Sequence, residues 1–437
     1  MAEFEGKKVL IAGLGKSGKA AKELLDSLGA EVSVWDEKLG CFPAREEKFD
    51  VVVLSPGVPP GKEYIKSCSD AGALIIGELE LSYLLCRGQF LAITGTNGKT
   101  TTTTLLGEIF KNAGKDVFVV GNIGLPGCAV AQETGEESWL VTEVSSFQLE
   151  TIKDFRPRIS VLLNITPDHL DRHITMENYI DAKAKIFMNQ NENDHFVVNY
   201  DDKESYGLAG RCRAKIVPFS RTTELDFGVF VKDGEIVCLD EKKCLTRFIK
   251  TENLLIPGDH NLENALAAVA ASYFADIQSR VISETLSTFP GVEHRLEDCG
   301  ELGGVRFIND SKGTNPDASI KAVEALAGPI ILIAGGYDKK SGFESFIDSF
   351  GGKVKYMVLL GETAGKIKET ADNKGFFDSK IVSGMEECLS TAYGLAAPGD
   401  TVLLSPACAS WDMYTDFEER GRHFKECIGR LRADGKS

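Results

Sequence analysis

The sequence predicts an α/β protein with three domains, each built on a mainly parallel β-sheet that helices cover. Its 437 residues exceed what one hydrophobic core supports, and about 150 residues per domain gives roughly three domains. Short apolar segments alternate with amphipathic ones, a pattern typical of parallel strands joined by helices. Glycine-rich turns directly follow two of the apolar segments, where α/β proteins bind nucleotides and phosphates.

Composition narrows the classes of function. The net charge of −16 argues against a nucleic-acid partner, because phosphate backbones are bound by clustered Lys and Arg. No apolar run approaches the roughly 20 residues that a bilayer span needs, so we expect no membrane association. The eleven cysteines form no CxxC pair, and no signal-peptide apolar region opens the chain. We therefore expect reduced thiols and a cytoplasmic location.

The first domain is predicted over residues 1–88. Apolar residues on one face between Ala20 and Leu28 predict a helix, which Gly29 ends. The predicted strands are Lys8–Ala12, Glu31–Trp35, Asp50–Leu54 and Leu74–Ile76.

A glycine-rich turn follows the first of these strands. Gly13-Leu14-Gly15-Lys16-Ser17-Gly18 matches the dinucleotide-binding pattern GxGxxG, and Asp36 follows the second strand, as that pattern requires. The pattern predicts a nucleotide or diphosphate ligand without saying which one. A purely structural glycine turn is the alternative.

The second domain is predicted over residues 89–295, with a β-rich insertion. Asp233-Gly234 lies between the apolar segments Val229–Val231 and Ile236–Leu239, and it predicts a hairpin because both turn residues tolerate positive φ. The other predicted elements are the strands Phe90–Ile93, Asp116–Val120, Trp139–Thr142 and Ile159–Asn164 and the helix Asn261–Phe274.

A second glycine-rich turn, Gly95-Thr96-Asn97-Gly98-Lys99-Thr100-Thr101, lies between a buried strand and a helix. There, free backbone N–H groups and the helix dipole hold phosphates. We expect Lys99 at the β- and γ-phosphates and Thr100 at magnesium. Ile93 stands where the GxxxxGK[ST] pattern has its first glycine, so a plain glycine turn remains the alternative.

Three further residues of the second domain have two interpretations each. Glu143 ends a strand and is either a magnesium ligand or an acid at a helix start. His169 also follows a strand, where a histidine is more often a loop or core residue than a ligand. Lys183 lies on a helix with Lys185, and composition alone predicts that both are solvated surface charges.

The third domain is predicted over residues 296–437, with strands at Val305–Ile308, Ile330–Ala334, Met357–Leu360 and Thr401–Leu404. Three polar loops follow strands of this domain. They contain Asn309–Pro316, Asp338-Lys339 and Ser405–Asp412. A simple turn would explain each loop singly, but three on one domain favour a substrate site.

In this order, the motifs resemble those of the Mur ligase family over essentially the whole chain: GTNGKTT, EVSSFQ, Asp168-His169, HNLEN, His294-Arg295, NDSKGTNP and SPACASWD. The resemblance implies a Rossmann-like UDP-binding domain, a P-loop ATPase-type domain with the β-rich insertion and a Rossmann-like domain for the incoming amino acid. GLGKSG and SPACASWDMYTDFEERG are similar to the family member that adds D-glutamate to UDP-N-acetylmuramoyl-L-alanine in peptidoglycan precursor synthesis.

The resemblance also implies roles for individual residues. For ATP it implies Gly95, Thr96, Asn97, Gly98, Lys99, Thr100, Thr101, Asn261, Asn264, Arg295, Asp310 and Lys312. For two magnesium ions it implies Thr100, Glu143, His169 and Lys183, the last only after CO2 carbamylates its amine. For the UDP precursor it implies Ser17, Asp36, Gly57, Asn122, Gln148 and His169, and for D-glutamate Thr314, Lys339, Ser410 and Phe417. Lys99, Glu143, His169 and Lys183 would be the catalytic residues.

Two residues depart from the family pattern. Glu37 follows Asp36, where the family often has a hydroxyl residue, and its charge would repel a diphosphate. Lys340 follows Lys339, where glycine is common, so the local backbone geometry can differ.

The implied reaction begins with attack of the L-alanyl carboxylate on the γ-phosphate of ATP. The amine of D-glutamate then attacks the acyl phosphate. These three small molecules are the implied partners, and we expect a monomer.

Three alternatives remain open at this point. A ligase that adds glutamate to folate would lack the UDP domain, so GLGKSG counts against it. A dinucleotide-dependent oxidoreductase leaves GTNGKTT unexplained. A nucleotide-gated binding protein would keep the P-loop without turnover.

Overall fold

The computed structural model describes residues 4–43 and 47–434. They form three β-sheets of four, nine and six strands, flanked by helices, which confirms the predicted α/β class. The chain divides into two compact units, Met1–Leu254 with Glu263–Thr288 and Leu255–Leu262 with Phe289–Ser437. The predicted domain boundaries near residues 88 and 295 stay predictions. Within the described residues, no helix is both long and apolar enough to cross a membrane.

The first sheet is parallel throughout, with the strand order β2-β1-β3-β4. Its elements are β1 (Lys8–Ala12), α1 (Lys16–Ser27), β2 (Glu31–Trp35), β3 (Val51–Leu54), α2 (Glu63–Asp70), β4 (Leu74–Gly77) and α3 (Glu78–Leu85). A Cβ at Gly18 would lie 1.9 Å from the Gly13 carbonyl oxygen, so glycine lets α1 pack directly on the loop that follows β1. The predicted strands of this domain are therefore confirmed to within a residue.

The second sheet has the strand order β13-β12-β11-β10-β9-β8-β5-β7-β6. Its strands are β5 (Gln89–Thr94), β6 (Val117–Gly121), β7 (Trp139–Glu143), β8 (Ile159–Leu162), β9 (His195–Asn199), β10 (Lys215–Ser220), β11 (Gly228–Lys232), β12 (Glu235–Leu239) and β13 (Leu245–Lys250). The β-rich segment forms one edge of this sheet, where the β11–β12 and β12–β13 pairs are antiparallel. Asp233 and Gly234 take φ values of 52° and 74°, which confirms the predicted hairpin.

Helices cover the second sheet or follow it in the chain. They are α4 (Lys99–Asn112), α5 (Gly127–Val130), α6 (Ser146–Leu149), α7 (Leu170–His173), α8 (Met176–Ala184), α9 (Lys203–Gly207), α10 (Asp259–Tyr273) and α11 (Ser279–Thr288). The alanine-rich face of α10 is buried, as its composition predicts.

The third sheet has the strand order β14-β15-β19-β16-β17-β18 and is parallel apart from β14. Its elements are β14 (Glu297–Leu302), β15 (Val305–Asn309), α12 (Pro316–Ala325), β16 (Ile330–Ala334), α13 (Glu344–Asp348), β17 (Val354–Leu359), α14 (Ala364–Asn373), β18 (Ser379–Ile381), α15 (Met385–Leu395), β19 (Thr401–Leu404) and α16 (Phe417–Asp434). β15, β19 and β16 are adjacent and parallel, so the polar loops that follow them leave from one edge of the sheet.

Candidate active site

The loop between β5 and α4 has the geometry of a phosphate-binding loop. Gly98 takes a φ of 87°, and a Cβ there would come within 2.2 Å of the Asn264 Oδ1 atom, so glycine is required on both counts. The backbone N–H groups of Thr96 and Asn97 donate to Asn164, each at 2.9 Å, and hold the loop in place. The first N–H groups of α4 have no partner within the helix, which suits a phosphate.

Two lysine side chains donate to one acceptor in this loop. The Lys99 Nζ donates to the carbonyl oxygens of Gly95 and Thr96, each at 2.8 Å. The Lys183 Nζ donates to the same Gly95 oxygen, also at 2.8 Å. The structure thus brings together two lysine side chains that lie 84 positions apart in the sequence.

Lys183 is only 1 % exposed, so the composition-based prediction of a solvated surface charge is wrong for this residue. The reason is tertiary: the face of α8 that carries Lys183 also buries Tyr179 and packs against the phosphate-binding loop, while Lys185 stays partly exposed. Burial and the nearby Lys99 charge hold the pKa of Lys183 well below its usual range. Burial therefore makes the charged form of this amine less favourable than it is in water.

Glu143 lies next to the same loop, because β7 pairs with β5 and places Glu143 beside Ile93. Its side chain is 1 % exposed; Oε1 accepts from Asn122 Nδ2 at 2.8 Å, while Oε2 is buried without a hydrogen-bond partner among the described residues. Leaving a buried acceptor unpaired costs about 1–3 kcal/mol or more for a charge. Ser145, not Glu143, caps the following helix, which disfavours the helix-start interpretation.

These atoms fit a hard cation. Magnesium prefers oxygen ligands. The Glu143 Oε2 atom and the hydroxyl group of the buried Thr100 could supply such ligands next to the phosphate-binding loop. Thr101, the next residue of α4, is buried as well. The Lys183 amine is not an oxygen donor, so Lys183 fits magnesium only as a carbamate.

His169 occupies an exposed position at the start of α7. Its backbone is left-handed with a φ of 52°, and its side chain is 45 % exposed. The ring meets the Phe147 ring edge to face at a centroid distance of 4.8 Å. The Nε2 atom lies 3.5 Å from a carboxylate oxygen of Asp168. The histidine is thus oriented by its neighbours but accessible to a ligand.

Asp36 shapes the first glycine-rich loop. Its carboxylate accepts backbone hydrogen bonds from Leu14 at 2.7 Å, from Lys38 at 2.9 Å and from Leu39 at 3.1 Å. These hydrogen bonds lower the pKa of Asp36. The negative charge of Glu37, which departs from the family pattern, forms an ion pair with Lys62.

The other residues predicted at the UDP precursor lie in the loops that follow strands or in the first turn of the next helix. Ser17 is in the first turn of α1, and Gly57 is exposed in the turn after β3. Asn122 follows β6 and contacts Glu143. The Gln148 Oε1 atom accepts from the backbone N–H and the hydroxyl group of Ser145, each at 2.9 Å, so this oxygen belongs to the cap of α6.

In the second compact unit, a buried polar cluster ties the loops after β15 and β19 together. Asp310 accepts from the Ser405 hydroxyl group at 2.7 Å and from the Leu296 N–H at 3.3 Å. The Ser405 hydroxyl group also contacts that of Ser319 at 2.8 Å. Burial raises the pKa of Asp310 to about 6, against the opposing effect of Arg295.

Arg420 is a residue of this cluster that sequence reasoning missed. It is 2 % exposed and donates to the Ser311 hydroxyl and carbonyl oxygens and to the carbonyl oxygens of Cys408 and Ala409, at 2.8–3.3 Å. Burial lowers its pKa to about 10. The available signal was its position: Arg420 stands four residues before Phe424 on the stripe of α16 that faces the core.

The residues predicted at D-glutamate lie on the loops after β15, β16 and β19 or at the start of α16. The Lys339 Nζ lies 5.3 Å from the centroid of the Trp411 ring, and the Lys312 Nζ lies 5.1 Å from that of Phe417. Ser410 is buried, and Thr314 is partly exposed.

Lys340, where glycine is common in the family, adopts a left-handed backbone conformation. Lys340 takes a φ of 62°, as a glycine would, and its N–H donates to an Asp338 carboxylate oxygen at 2.6 Å.

The residues predicted at ATP fall into two groups. Asn264 accepts from the Thr102 hydroxyl group at 3.3 Å in the first unit, beside the phosphate-binding loop. Asn261 donates to the Pro257 carbonyl oxygen at 2.7 Å in the second unit, which also holds Arg295, Asp310 and Lys312.

The sequence is similar to two known protein families over most of its length. The family described as "Mur ligase middle domain" matches residues 93–272, and the one described as "Mur ligase, glutamate ligase domain" matches residues 294–408. The UDP-N-acetylmuramoylalanine–D-glutamate ligase of Alkaliphilus oremlandii is 51 % identical over 98 % of this chain and 99 % of its own. The enzyme of the same name from Clostridioides difficile is 48 % identical over 98 % of this chain and 100 % of its own.

Solved structures agree in fold. The UDP-N-acetylmuramate-alanine ligase of Thermotoga maritima matches with a TM-score of 0.63 at 19 % identity, over 98 % of this chain and 100 % of that chain. The MurF ligase of Thermotoga maritima in complex with ADP matches with a TM-score of 0.61 at 17 % identity, over 98 % of this chain and 96 % of that chain.

Proposed function

The chain belongs to the Mur ligase family, and we propose that it is the ATP-dependent ligase that joins D-glutamate to UDP-N-acetylmuramoyl-L-alanine through an acyl phosphate. The relatives that carry this activity in their names are about half identical to the chain over nearly its whole length. A dinucleotide oxidoreductase is therefore discarded.

One observation of this structure carries the proposal: Lys99 and Lys183 donate to the same Gly95 carbonyl oxygen. Gly95 follows strand β5, and β5 pairs with the end of β7 that carries Glu143, whose Oε2 atom has no hydrogen-bond partner among the described residues. The Lys99 ammonium group donates to neutral carbonyl oxygens, and a bound triphosphate would bring negative charge to it. A carboxylate oxygen without a partner in turn favours a bound cation. Both features suit a magnesium–nucleotide complex better than a structural turn.

The residues of the loop lower the barrier mainly by charge and position. A carboxylate approaching a triphosphate is repelled, and the Lys99 ammonium group and the N-terminus of α4 offset that repulsion. Magnesium, when bound through Thr100 and Glu143, would neutralise further phosphate charge. Holding the two reactants in place can replace roughly 7–11 kcal/mol of barrier.

Lys183 acts in the proposal after modification. Its neutral amine attacks CO2, a new N–C bond forms, and the amine proton leaves to solvent. The resulting carbamate supplies oxygen donors that, with His169, would hold a second magnesium ion. The lowered pKa of Lys183 supports this step, because only the unprotonated amine is a nucleophile.

The remaining assignments follow from family membership. Lys339 pairs with a carboxylate of D-glutamate, helped by Thr314, Ser410 and Phe417. Ser17, Asp36, Gly57, Asn122, Gln148 and His169 serve the UDP precursor, and Asn261, Asn264, Arg295, Asp310 and Lys312 serve the nucleotide. A monomeric state and a cytoplasmic location remain predictions.

The test is phosphate release from ATP and magnesium with UDP-N-acetylmuramoyl-L-alanine and single amino acids. We expect release with D-glutamate and far less with L-glutamate. Equal release with both enantiomers would contradict the substrate assignment. No release with any amino acid would favour a nucleotide-gated binding protein.

A further inference from the structure

Arg172, on the short helix α7, joins two parts of the first compact unit. Its Nη1 atom donates to the Pro56 carbonyl oxygen at 2.9 Å, in the turn after β3. Its Nε and Nη2 atoms donate to the two carboxylate oxygens of Glu150, at 3.1 and 2.6 Å. All three donor nitrogens of the guanidinium group are thus engaged, in a bidentate geometry that fixes its plane.

The face of the same guanidinium group lies over an aromatic ring. The Arg172 Cζ is 4.1 Å from the centroid of the Phe147 ring, and Phe147 is the ring that meets His169. A cation at this distance is attracted to the ring by its quadrupole. Arg172 therefore holds Phe147, and Phe147 holds the His169 ring.

Arg172 is the cation that pairs with Glu150, although His173 also lies near this carboxylate. His173 lies 3.7 Å from a Glu150 oxygen, but burial lowers the pKa of His173, and its Nε2 atom contacts the Ser146 hydroxyl group at 2.9 Å. A neutral imidazole leaves the Glu150 charge to Arg172. Losing Arg172 would then free both Glu150 and Phe147.

The turn that Arg172 contacts belongs to the loop system of the first sheet. Ser55, next to Pro56, donates through its hydroxyl group to the Gly13 carbonyl oxygen at 2.7 Å, and Asp36 holds the adjoining Leu14. Gly57, next in the chain, is assigned to the UDP precursor. Movements of this turn therefore reach the glycine-rich loop directly.

We propose that Arg172 is a positioning residue that sets the distance between the precursor-binding turn Ser55–Gly57 and His169. The inference rests on the proposed function. In this arrangement the guanidinium group keeps the carboxyl end of the precursor aligned with the phosphate-binding loop, without contacting either substrate. A lysine could reach the Pro56 oxygen but not both Glu150 oxygens at once.

The experiment compares Arg172→Ala, Arg172→Lys and wild type, with Arg211→Ala as the matched control. Arg211 also pairs with a carboxylate, Asp181, but both side chains are about half exposed. For each protein, kcat and KM for UDP-N-acetylmuramoyl-L-alanine are measured, together with the calorimetric Kd of the precursor and of ADP and the Tm.

For Arg172→Ala we expect kcat/KM for the precursor to fall by about 10²-fold, as misplacement of about 1 Å does, while the Kd of ADP stays within twofold. Arg172→Lys should lie between Arg172→Ala and wild type, and Arg211→Ala should match wild type. A folded Arg172→Ala variant with wild-type kcat and KM would overturn the inference.

Phe147→Leu keeps the Arg172–Glu150 pair and removes the ring between Arg172 and His169. If Arg172→Ala fails to fold, Phe147→Leu becomes the test of the inference. For Phe147→Leu we expect kcat to fall by about tenfold or more. Wild-type kinetics in Phe147→Leu would then overturn the inference alone. A wild-type protein that binds no precursor would instead remove the proposed function, and the inference with it.

Discussion

The phosphate-binding loop of the first unit and the polar loops of the second unit differ in how fully their buried charged side chains are hydrogen-bonded. At the phosphate-binding loop, one carboxylate oxygen of Glu143 has no hydrogen-bond partner among the described residues, and Lys183 is buried beside the Lys99 ammonium group. In the second unit, Arg420 donates to three residues, and Asp310 accepts from two.

The difference separates groups that await a ligand from groups that hold the fold. A buried polar group without partners lowers stability, so its retention suggests that a ligand completes it. A fully hydrogen-bonded network makes loops rigid and positions them. Substitutions at the first site should therefore reduce activity with little effect on folding, and substitutions within the second network should do the reverse.

The largest effect is expected for Lys99→Ala. Without this ammonium group, the charge that develops on the phosphoryl group loses its nearest cation, and kcat should fall by about 10³-fold or more. The Tm should change little. Lys111→Ala, at the exposed end of the same helix, is the control and should turn over like wild type. Turnover within twofold of wild type in Lys99→Ala would contradict the assignment of the phosphate-binding loop as the site of catalysis.

Arg420→Met should have the next largest effect, on stability. It removes the donor of the Ser311 and Cys408 carbonyl oxygens, each at about 1.5 kcal/mol, so we expect a loss of about 3 kcal/mol. The Ala409 carbonyl oxygen keeps its hydrogen bond from the Tyr337 N–H. Chemical denaturation measures it. An unfolding free energy equal to that of wild type would show that this network does not hold the loops.

Lys183→Ala should lower kcat by about 10²-fold, because the chain then offers no carbamate oxygens. Added short-chain carboxylic acids should restore part of the activity, as should CO2 supplied to CO2-depleted wild-type protein. Full activity in the variant, or loss without any rescue, would count against the carbamate.

Glu143→Gln tests the unpaired oxygen itself. The amide keeps the shape and the contact to Asn122 but removes the charge, so we expect about tenfold lower activity at low magnesium and a higher magnesium concentration for half-maximal rate. Because a neutral side chain is cheaper to bury, the Tm should stay equal or rise. A clear fall in Tm would mean that the carboxylate is structural.

The smallest effect is expected for Trp411→Ala. Trp411 is 62 % exposed, and its ring faces the Lys339 ammonium group. An exposed cation–π contact is worth about 0.5–1 kcal/mol, so KM for D-glutamate should rise about two- to fivefold with kcat unchanged. Trp411→Phe should lose less. An unchanged KM in Trp411→Ala would show that the ring does not orient Lys339.

The sequence predicted what local patterns encode. Continuous apolar runs with clear stops located β1, β2, β16 and β19 to the residue, and the glycine-rich turn after β5 located the phosphate-binding loop. Joining of β10–β13 to the central sheet was not predictable, because it depends on pairing between distant segments.

The charged residues of the two sites show the same limit. Lysines and arginines on helices are usually solvated, so neither the burial of Lys183 nor that of Arg420 follows from composition. The sequence cannot show that a Glu143 oxygen is buried without a hydrogen-bond partner, because this depends on the three-dimensional positions of all its neighbours. Family motifs assigned Lys183 a role, but its physical reason is the shared Gly95 oxygen.

The most direct test of the central claim follows the oxygen atoms of the precursor. UDP-N-acetylmuramoyl-L-alanine labelled with ¹⁸O in its carboxylate is incubated with ATP, magnesium and D-glutamate, and the released phosphate is analysed by mass spectrometry. Transfer of the γ-phosphoryl group to the acid predicts one ¹⁸O atom in the phosphate for every amide bond formed. Amide formation with unlabelled phosphate would contradict the account.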